Sequence, residues 1–433
     1  MPLHLNKLSS LQLLQVLRFG ALFLSSVIIA KLIGDTNIVG RYENLVLVGS
    51  SFTFFWVSGL INTFIPFYQK TPETERKNLI STTFILLSAL ALFFGLIGLS
   101  LKAFLYEGTY AEFLLYLVFA FFTAPAFLTE YIYLSVNKPK NIALYAIAIS
   151  FLHVASAFLP LWLGHGMNGV LICLAAFGVI RYVFTAWLVL KTSQKFLFHR
   201  QLANQFLKAS LPVAASLLIG GSMLYIDSYL VRFNFNSTQF AIFQYGAREL
   251  PFVLLMANAL SNIGSAEVAF HYKNGNIFSG LDYLKQKSLR LMHFLFPLSF
   301  ILLIFSEPLF SHLYADAYIP AARIFDIYIL LIISRLIFPQ TILLAMHQNI
   351  TLLWSTGVEW FIKICLNTWF LYFFGLPGIA YATVVAYLSE KLIHIYFLSK
   401  HKLYATQYIP MQSWLIYSAL LIITYAAKYL IYK

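Results

Sequence analysis

Charged side chains are scarce in this sequence. They make up 10% of its 433 residues, whereas a soluble globular protein carries about 25%. So few charges cannot cover the water-facing surface of a chain this long, which excludes a soluble globular protein. The hydrophobic fraction of 60% and the mean hydropathy of +0.78 agree with that exclusion and indicate that the solvent is lipid.

Cysteine and the short motifs of soluble enzymes are also scarce. The two cysteines, Cys173 and Cys365, fall inside long apolar segments, which argues against a disulfide framework. The sequence has no Walker loop, no Cys/His cluster with zinc spacing and no Gly-x-Ser-x-Gly elbow. We therefore expect no built-in ATPase and no cofactor. The N-terminus lacks a signal-peptide pattern with a cleavage site, so the first apolar segment is expected to remain as a membrane anchor.

Apolar segments long enough to cross a bilayer recur from end to end. A spanning helix needs roughly 20 apolar residues, and this length predicts an all-α integral membrane protein with twelve transmembrane helices. A further apolar segment at 413–432 is either a thirteenth span or a surface helix. The predicted spans lie near 11–33, 43–68, 79–101, 112–136, 141–163, 168–190, 207–231, 240–270, 289–310, 322–346, 350–374 and 378–399.

The basic residues indicate how the chain is oriented, because cytoplasmic loops carry an excess of lysine and arginine. With a cytoplasmic N-terminus, sixteen basic residues fall in inner loops and four in outer loops, namely Lys31, Arg41, Lys102 and Arg232. We therefore expect a multi-pass protein whose N-terminus lies in the cytoplasm. The net charge of +13 does not indicate a nucleic-acid partner, since the basic residues are spread over short membrane loops.

The sequence indicates two copies of one six-helix unit. Similar residues open corresponding spans of the two copies, at offsets of 201, 208 and 209 residues. Because six is even, both copies begin on the same side of the membrane, an arrangement in which two halves flank a midplane cavity. The matched positions are Gly40-Arg41-Tyr42 with Ala241-Ile242-Phe243, Asn141-Ile142 with Asn349-Ile350, and Gly169-Val170 with Gly378-Ile379. The predicted divisions are an N-terminal lobe at 1–191, a cytoplasmic linker at 192–208, a C-terminal lobe at 209–400 and a tail at 401–433.

Two loop motifs carry a family resemblance. The stretch Ala30-Lys31-Leu32-Ile33-Gly34, followed by Gly40-Arg41-Tyr42, resembles the first-loop signature of the multidrug/oligosaccharidyl-lipid/polysaccharide (MOP) exporter superfamily, with one extra residue in the turn. The stretch from Leu376-Pro377-Gly378 to Thr383 resembles the pattern before the twelfth span of that superfamily. Within it, the chain is most similar to the polysaccharide transporters of the Wzx type, which serve O-antigen and capsule synthesis.

The resemblance implies a V-shaped transporter of two lobes in the bacterial cytoplasmic membrane. Its expected substrate is an undecaprenyl-diphosphate-linked oligosaccharide, which it moves to the outer leaflet by alternating access. A proton or sodium gradient, or the substrate gradient, would supply the energy. We expect a monomer that is not an enzyme and that contacts membrane lipids, with a polysaccharide polymerase or a chain-length regulator as candidate partners.

Four arginines in the predicted spans have no acidic residue three or four positions away: Arg18, Arg181, Arg248 and Arg335. Ionisable groups at membrane depth are costly unless they are paired or face a wet cavity. Guanidinium groups suit a diphosphate through paired N–H donors and permanent charge, so we expect some of these arginines, with Lys363, to bind it. Arg18 is favoured, because its helix holds no acid at depth and related lipid II flippases carry arginine in their first helix. The alternative is ion pairing between helices, with Glu130, Asp227, Glu249 or Glu390.

Other charges in the spans have local partners in the sequence. Glu359 and Lys363 are four positions apart in the predicted eleventh span, and Arg323 and Asp326 are three apart in the tenth. Such spacings place both members on one helix face, where opposite charges can pair. We interpret these residues first as neutralised pairs that hold helices together, with Lys363 retained as a helper for the diphosphate.

Two carboxylates are candidates for binding a coupling ion. Asp227 and Glu130 lie within predicted spans, and transporters of this architecture hold their proton or sodium ion near the cavity. An arginine partner is the alternative for each of them. The histidines His153 and His293 stand alone in apolar runs and are interpreted as packed or surface-near side chains rather than ligands, since buried histidine commonly finds a hydrogen-bond partner.

Two other functions fit the composition. An ion-coupled multidrug or cation antiporter would share the fold, but it needs an acidic cavity, whereas the arginines without local partners are basic. A membrane-embedded enzyme of glycan assembly would typically need a large external loop, and the outer loops have about ten residues or fewer. The leading prediction is therefore the oligosaccharide-lipid flippase.

Overall fold

The regular structure of this protein is helical. The computed structural model describes residues 7–431, and in that range the elements are α-helices apart from one 3-10 turn at Asp316–Tyr318. Lipid offers the backbone no hydrogen-bond partner, so a long apolar segment satisfies its N–H and C=O groups internally as a helix. The all-α membrane fold predicted from hydropathy is confirmed.

Packing divides the chain into two compact units, Met1–Ala241 and Ile242–Lys433. In the first unit, the apolar core brings together Phe64, Leu128 and Phe206 from three separate helices. The helices of this unit, with the one that crosses its boundary, are α1 (Lys7–Ile33), α2 (Thr36–Lys70), α3 (Glu73–Ser100), α4 (Lys102–Leu105), α5 (Tyr110–Ala126), α6 (Leu128–Ser135), α7 (Pro139–Trp162), α8 (Gly166–Ser193), α9 (Arg200–Asn234) and α10 (Ser237–Gly246).

The second unit is built in the same manner from long helices interrupted by short ones. Its buried apolar side chains include Leu284 and Phe296, which come from one helix, and Ile342 from another. Its helices are α11 (Pro251–Lys273), α12 (Ile277–Ile304), α13 (Ser306–Leu313), α14 (Ile319–Ile329), α15 (Ile332–Arg335), α16 (Pro339–Ala345), α17 (Asn349–Phe374), α18 (Leu376–Lys400), α19 (Ala405–Tyr408) and α20 (Met411–Ile431).

The division by packing falls later than the predicted linker at 192–208. Helix α9 belongs to the first unit because it packs along α2, and a Cβ on Gly59 would lie 2.6 Å from Ala214 Cβ. The segment before α9 is also held by that unit, since the N–H of Leu197 donates to Ser81 Oγ at 2.8 Å. The seventh predicted span is thus attached to the six that precede it.

Ten helices in the described range are long and apolar enough to cross a membrane, the last being Asp316–Arg335 with its short interruption. Helices α17, α18 and α20 have the length of a span but fall outside this set. In α17 the buried residues are Ser355, Glu359, Lys363 and Asn367, a polar stripe with four-residue spacing that lowers the hydropathy of the segment. The number twelve therefore remains a prediction.

Four predicted spans are interrupted rather than continuous. The fourth, at 112–136, breaks at Phe127, which lies between α5 and α6 two residues after Pro125. The eighth, at 240–270, breaks between Gly246 and Pro251, where proline has no N–H to continue the helix. The ninth, at 289–310, breaks at Phe305, which lies between α12 and α13. The tenth, at 322–346, is divided into α14, α15 and α16. Hydropathy is unaffected by these breaks, so it could not predict them.

The C-terminal helix α20 packs against other helices of the second unit. Near its start, Trp414 Nε1 donates to the carbonyl oxygen of Ile333 at 2.9 Å. Near its end, Lys428 Nζ lies 2.7 Å from Asp326 Oδ2 and donates to the carbonyl oxygen of Leu303 at 2.9 Å. Contacts at both ends therefore hold this 21-residue helix in the second unit, and its assignment as a thirteenth span or a surface helix remains a prediction.

These contacts bear on two interpretations that were made from the sequence. Asp326, expected to pair with Arg323 on its own helix, instead pairs with Lys428 from α20, 102 positions away. A partner so distant in sequence has no signal in local spacing. His293, interpreted as a packed or surface-near side chain, is exposed, and its Nδ1 lies 2.8 Å from the hydroxyl of Tyr417, so it also helps to hold α20.

The Gly40-Arg41-Tyr42 motif has a structural explanation at the start of α2. A Cβ on Gly40 would lie 1.8 Å from the carbonyl oxygen of Ser237, so only glycine permits α2 and α10 to approach this closely. Arg41 forms an ion pair with Glu112 at 3.7 Å, and Tyr42 is buried. The motif therefore fastens the N-terminal ends of three helices, α2, α5 and α10, within the first unit.

Candidate functional site

The first unit contains a cavity of about 450 Å³. Its walls come from α1, α2, α5, α6, α7 and α8, and most of its lining is apolar, as expected inside a membrane protein. Ionisable side chains enter this wall from four helices: Arg18 from α1, Glu130 from α6, His153 from α7 and Arg181 from α8. Charged groups at this depth are expensive in lipid, so their convergence on one cavity marks a candidate functional site.

Arg18 and Glu130 form an ion pair across the cavity wall. Glu130 lies in the first turn of α6, where the helix dipole favours a negative charge, and its side chain is 2% exposed. The Arg18 side chain retains 30% exposure, so its guanidinium neutralises Glu130 while part of it stays accessible from the cavity.

Arg181 is the second guanidinium of the cavity and is 6% exposed. Its helix approaches α5 closely at Gly178, where a Cβ would lie 3.0 Å from the carbonyl oxygen of Phe119. Arg181 Nε donates to the hydroxyl of Tyr145 at 3.3 Å, whereas Nη2 is buried and has no hydrogen-bond partner within the described residues. An unsatisfied N–H group of a buried guanidinium is costly and is ready to bond an acceptor that enters the cavity.

Phe127 connects the two arginines. Its ring centroid lies 4.8 Å from Arg18 Cζ and 5.4 Å from Arg181 Cζ, distances at which a cation is attracted to the face of an aromatic ring. The break between α5 and α6 places this ring at the cavity. Phe127 is not among the site residues predicted from the sequence, where the signal for the helix break is Pro125 in the middle of a predicted span.

The charge of the cavity is positive. Two arginines face one glutamate in its wall, which leaves a surplus of one positive charge when His153 is neutral. Hydroxyl groups add polar capacity, since Thr123 Oγ1 and Ser150 Oγ line the cavity and have no hydrogen-bond partner among the residues that the structure describes. This arrangement suits an anionic ligand with several acceptor oxygens.

His153 was interpreted as a packed side chain. Its ring centroid lies 5.6 Å from that of Phe177 and 6.4 Å from that of Phe119, which agrees with packing against aromatic neighbours. It also lines the cavity, a position that the lone histidine in an apolar run did not reveal.

The predicted site residues of the second unit are engaged with neighbours. Arg335 forms two hydrogen bonds with Glu249, at 2.6 and 2.9 Å, and its Cζ lies 4.3 Å from the ring centroid of Tyr387. Arg248 Nε donates to the carbonyl oxygen of Gln244 at 3.1 Å. Ion pairing, the alternative considered for the arginines, is therefore what this structure has for Arg335, as it has for Arg18 with Glu130.

Two further predicted residues also lie apart from the cavity of the first unit. Lys363 is buried on α17 within the polar stripe of the second unit, and Asp227 is buried on α9 outside the cavity lining. Of the candidates selected from the sequence, the structure thus brings together Arg18, Arg181 and Glu130.

Comparisons with known proteins agree on the fold. No family model and no curated protein sequence matched the chain. Among solved structures, the chain is similar to the lipid II flippase MurJ in an inward closed conformation, with a TM-score of 0.69 and 17% identity over 97% of this chain and 92% of that one.

Two transporters of the MATE type show the same similarity. An inward-facing multidrug resistance MATE family transporter of the MOP superfamily gives a TM-score of 0.63 and 12% identity over 90% of this chain and 97% of that one. A mutant of the Vibrio cholerae MATE transporter VcmN gives a TM-score of 0.53 and 14% identity over 90% of this chain and 96% of that one.

These similarities establish the class of fold. The chain has the fold of a polytopic membrane transporter, because the matched structures are a flippase and transporters rather than enzymes. More particularly, this fold is shared with a MATE transporter of the MOP superfamily, which agrees with the fold expected from the loop motifs. The assignment to the polysaccharide branch remains a prediction.

Proposed function

We propose that this protein is a flippase that moves undecaprenyl-diphosphate-linked oligosaccharide units from the inner to the outer leaflet of the bacterial cytoplasmic membrane by alternating access. The observation that carries the proposal is the Arg181 guanidinium, which is buried at the cavity with Nη2 unpaired. A phosphate oxygen is a strong acceptor for such a group, and the bond gains strength where water is excluded.

A diphosphate suits this cavity better than a single carboxylate does. Arg18 and Arg181 both lie against the ring of Phe127, so one ligand with several negative oxygens can reach both guanidinium groups. Arginine bonds phosphate through paired N–H donors and keeps its charge in an apolar setting. The name of the lipid II flippase to which the chain is similar supports a lipid-linked substrate.

Glu130 has a role in the proposed cycle. A diphosphate that takes the Arg18 guanidinium leaves the buried Glu130 carboxylate without its counter-ion, and an unpaired buried charge is strongly unfavourable. Uptake of a proton by Glu130 would remove that charge. Substrate binding and proton binding would then favour each other in the same cavity. The proton would accompany the substrate outward, so the substrate gradient, rather than an inward proton gradient, would supply the energy.

An ion-coupled antiporter for cationic compounds is the second candidate. The observation that favours it is a deeply buried carboxylate, Glu130, in the cavity of a fold shared with a MATE transporter. Arg18 already neutralises that carboxylate, and Arg181 adds a further positive charge that repels cations. The balance of charge therefore favours the flippase.

Deleting the gene in its native host tests the proposal. We expect surface polysaccharide to disappear and lipid-linked repeat units to accumulate on the inner leaflet. Wild-type protein should restore export, whereas Arg181→Ala should lower it roughly tenfold or more, because a hydrogen bond to a charged group contributes about 1.5–3 kcal/mol. Arg181→Lys should restore it in part, since it keeps the charge but loses the paired donors.

Arg76→Ala serves as the control for this series. Arg76 pairs with the exposed Glu73 at 3.5 Å near the start of α3 and does not line the cavity, so export should stay at the wild-type level. Unchanged surface glycan in the deletion strain, together with altered sensitivity to cationic drugs, would contradict the flippase and support the antiporter.

Reporter fusions test the proposed orientation. With the N-terminus in the cytoplasm and α20 as a thirteenth span, alkaline phosphatase fused after residue 433 should be active on the outer side. A green fluorescent protein fused after residue 402, before α20, should fluoresce in the cytoplasm, because an even number of spans precedes it. Phosphatase fused after residue 164, at the end of the fifth predicted span, is the positive control. Fluorescence from a fusion at residue 433 would show that α20 does not cross the membrane.

A further inference from the structure

A second cavity of the first unit lies at the C-terminal end of α9. Its volume is about 470 Å³, and its lining includes Phe104, Arg232, Phe233, Asn234, Asn236 and Gln239. The loop charges assign this end of α9 to the outer face of the membrane. It is distinct from the cavity of Arg18 and Arg181, with which it shares no lining residue.

Arg232 forms the polar floor of this outer pocket. Its side chain is 7% exposed, and Nη1 donates to Glu107 Oε1 at 3.0 Å. Nε is buried and has no hydrogen-bond partner in the part of the chain that the structure describes. A guanidinium buried to this degree in a lining wall, with one N–H group unsatisfied, indicates a ligand that supplies an acceptor oxygen.

Two phenylalanine rings form one side of the outer pocket. Phe104 and Phe233 are 67% and 50% exposed, and their centroids lie 5.1 Å apart at an angle of 38°. The largely exposed Glu107 and Asn236 line the same pocket, and hydrocarbon does not tolerate a carboxylate and an amide. The rings therefore face the headgroup or water layer, where aromatic rings stack on the apolar faces of sugars.

Side-chain amides supply the remaining polar groups. Gln239 N–H donates to Asn236 Oδ1 at 2.9 Å, and Asn236 N–H donates to Gln239 Oε1 at 3.4 Å. These bonds use the amide oxygens and orient both side chains, leaving their NH₂ groups as donors. Together with the Glu107 carboxylate as acceptor, the pocket offers the mixed donors and acceptors that a set of hydroxyl groups needs.

Basic residues of the predicted outer loops, which are exceptions to the positive-inside rule, hold the loop next to the pocket. Lys102 Nζ donates to the carbonyl oxygen of Gly108 at 2.8 Å, and Arg41 pairs with Glu112. The hydroxyl of Tyr106 donates to Glu112 Oε2 at 2.8 Å, and burial followed by this hydrogen bond raises the pKa of the Tyr106 phenol, so the donor keeps its proton. The walls of the pocket are thus fixed before a ligand arrives.

We propose that this outer pocket binds the sugar portion of the translocated lipid after it reaches the outer face. The inference deepens the proposed function and rests on it for the source of the sugar. Neutral saccharide fits better than phosphate, because Glu107 occupies Arg232 and repels anions at the pocket mouth. The pocket would hold the glycan away from the membrane while the diphosphate leaves the cavity of Arg18 and Arg181.

The test uses the full chain in lipid nanodiscs. The probe is the lipid-free oligosaccharide released by mild acid from the host's surface polysaccharide, and binding is measured by saturation-transfer NMR and titration. Wild-type protein should bind it, and Phe233→Ala should raise the Kd about tenfold, equivalent to 1.4 kcal/mol. Phe233 is half exposed, so its loss should leave the fold intact. Trp162→Ala, which removes an exposed aromatic ring at the end of α7 outside the pocket, should bind like wild type.

The outcomes separate this proposal from the flippase itself. Absence of probe binding by the wild type, or equal binding by Phe233→Ala, would overturn the sugar pocket even where gene deletion abolishes glycan export. Binding that Phe233→Ala weakens and Trp162→Ala preserves supports the pocket. If deletion leaves surface glycan unchanged, the flippase proposal fails on its own, and the nanodisc measurement still reports on the pocket.

Discussion

Arg18→Ala is expected to abolish glycan export and to lower the amount of folded protein. Arg18 is the counter-ion of Glu130, whose side chain is 2% exposed. Removing one member of a buried pair leaves an uncompensated charge, at a cost of about 3 kcal/mol given that Arg18 retains some exposure. The same change removes one of two guanidinium groups from the cavity, so export is lost for a second reason. Surface glycan and membrane protein level measure the two effects.

The double variant Arg18→Ala with Glu130→Gln separates them. Glutamine removes the buried charge, so the amount of folded protein should return close to the wild-type level. On the proposed function, export should remain abolished, because the diphosphate would still lack one of its two guanidinium partners. Normal export from the double variant would show that Arg18 serves only to neutralise Glu130, and the diphosphate role would be rejected for this residue.

Gly40→Val is expected to destabilise the first unit by about 3 kcal/mol, at the upper end of what overpacking costs. The reason is the position of a Cβ at residue 40, which would lie 1.8 Å from the carbonyl oxygen of Ser237. The obstacle is backbone rather than a mobile side chain, so α2 and α10 must separate. We expect a large fall in the midpoint of thermal unfolding of the purified protein in detergent.

Gly20→Ala is the matched control for that experiment. Gly20 lies inside α1, and a Cβ there would meet nothing within 4 Å. Alanine is a better helix former than glycine by about 1 kcal/mol, so the thermal midpoint should be unchanged or higher. A Gly40 variant as stable as the Gly20 variant would mean that the two helices do not approach as closely as the structure has them.

Hydropathy alone places most of the helices. The predicted fifth span at 141–163 corresponds to α7, Pro139–Trp162. The two agree because an apolar segment that crosses the membrane without interruption is helical over its whole length. The assignment of α9 to the first unit could not be obtained this way. It depends on small residues such as Gly59 and Ala214 meeting between distant helices, and composition carries no information about which helices meet.

The candidate site could be predicted in part. Their position inside predicted spans was sufficient to select Arg18, Arg181 and Glu130, because an ionisable group at membrane depth is costly unless it is paired or faces a wet cavity. Their partners could not be selected, since Arg18 and Glu130 are 112 positions apart. The role of Phe127 depends on a helix break, and the unsatisfied Nη2 of Arg181 is a property of its surroundings alone.

The polar stripe of α17 has a consequence for the biogenesis of the protein. Its buried residues are Ser355, Glu359, Lys363 and Asn367, and large exposed side chains such as Trp354 and Phe361 cover the rest of the helix. A nascent α17 released singly from the insertion machinery would carry Glu359 and Lys363 into hydrocarbon without the helix that covers them. Since α18 packs along it and follows after Gly375, we expect the two helices to enter the membrane together as a hairpin. Helix α18 is therefore expected to complete the membrane insertion of α17.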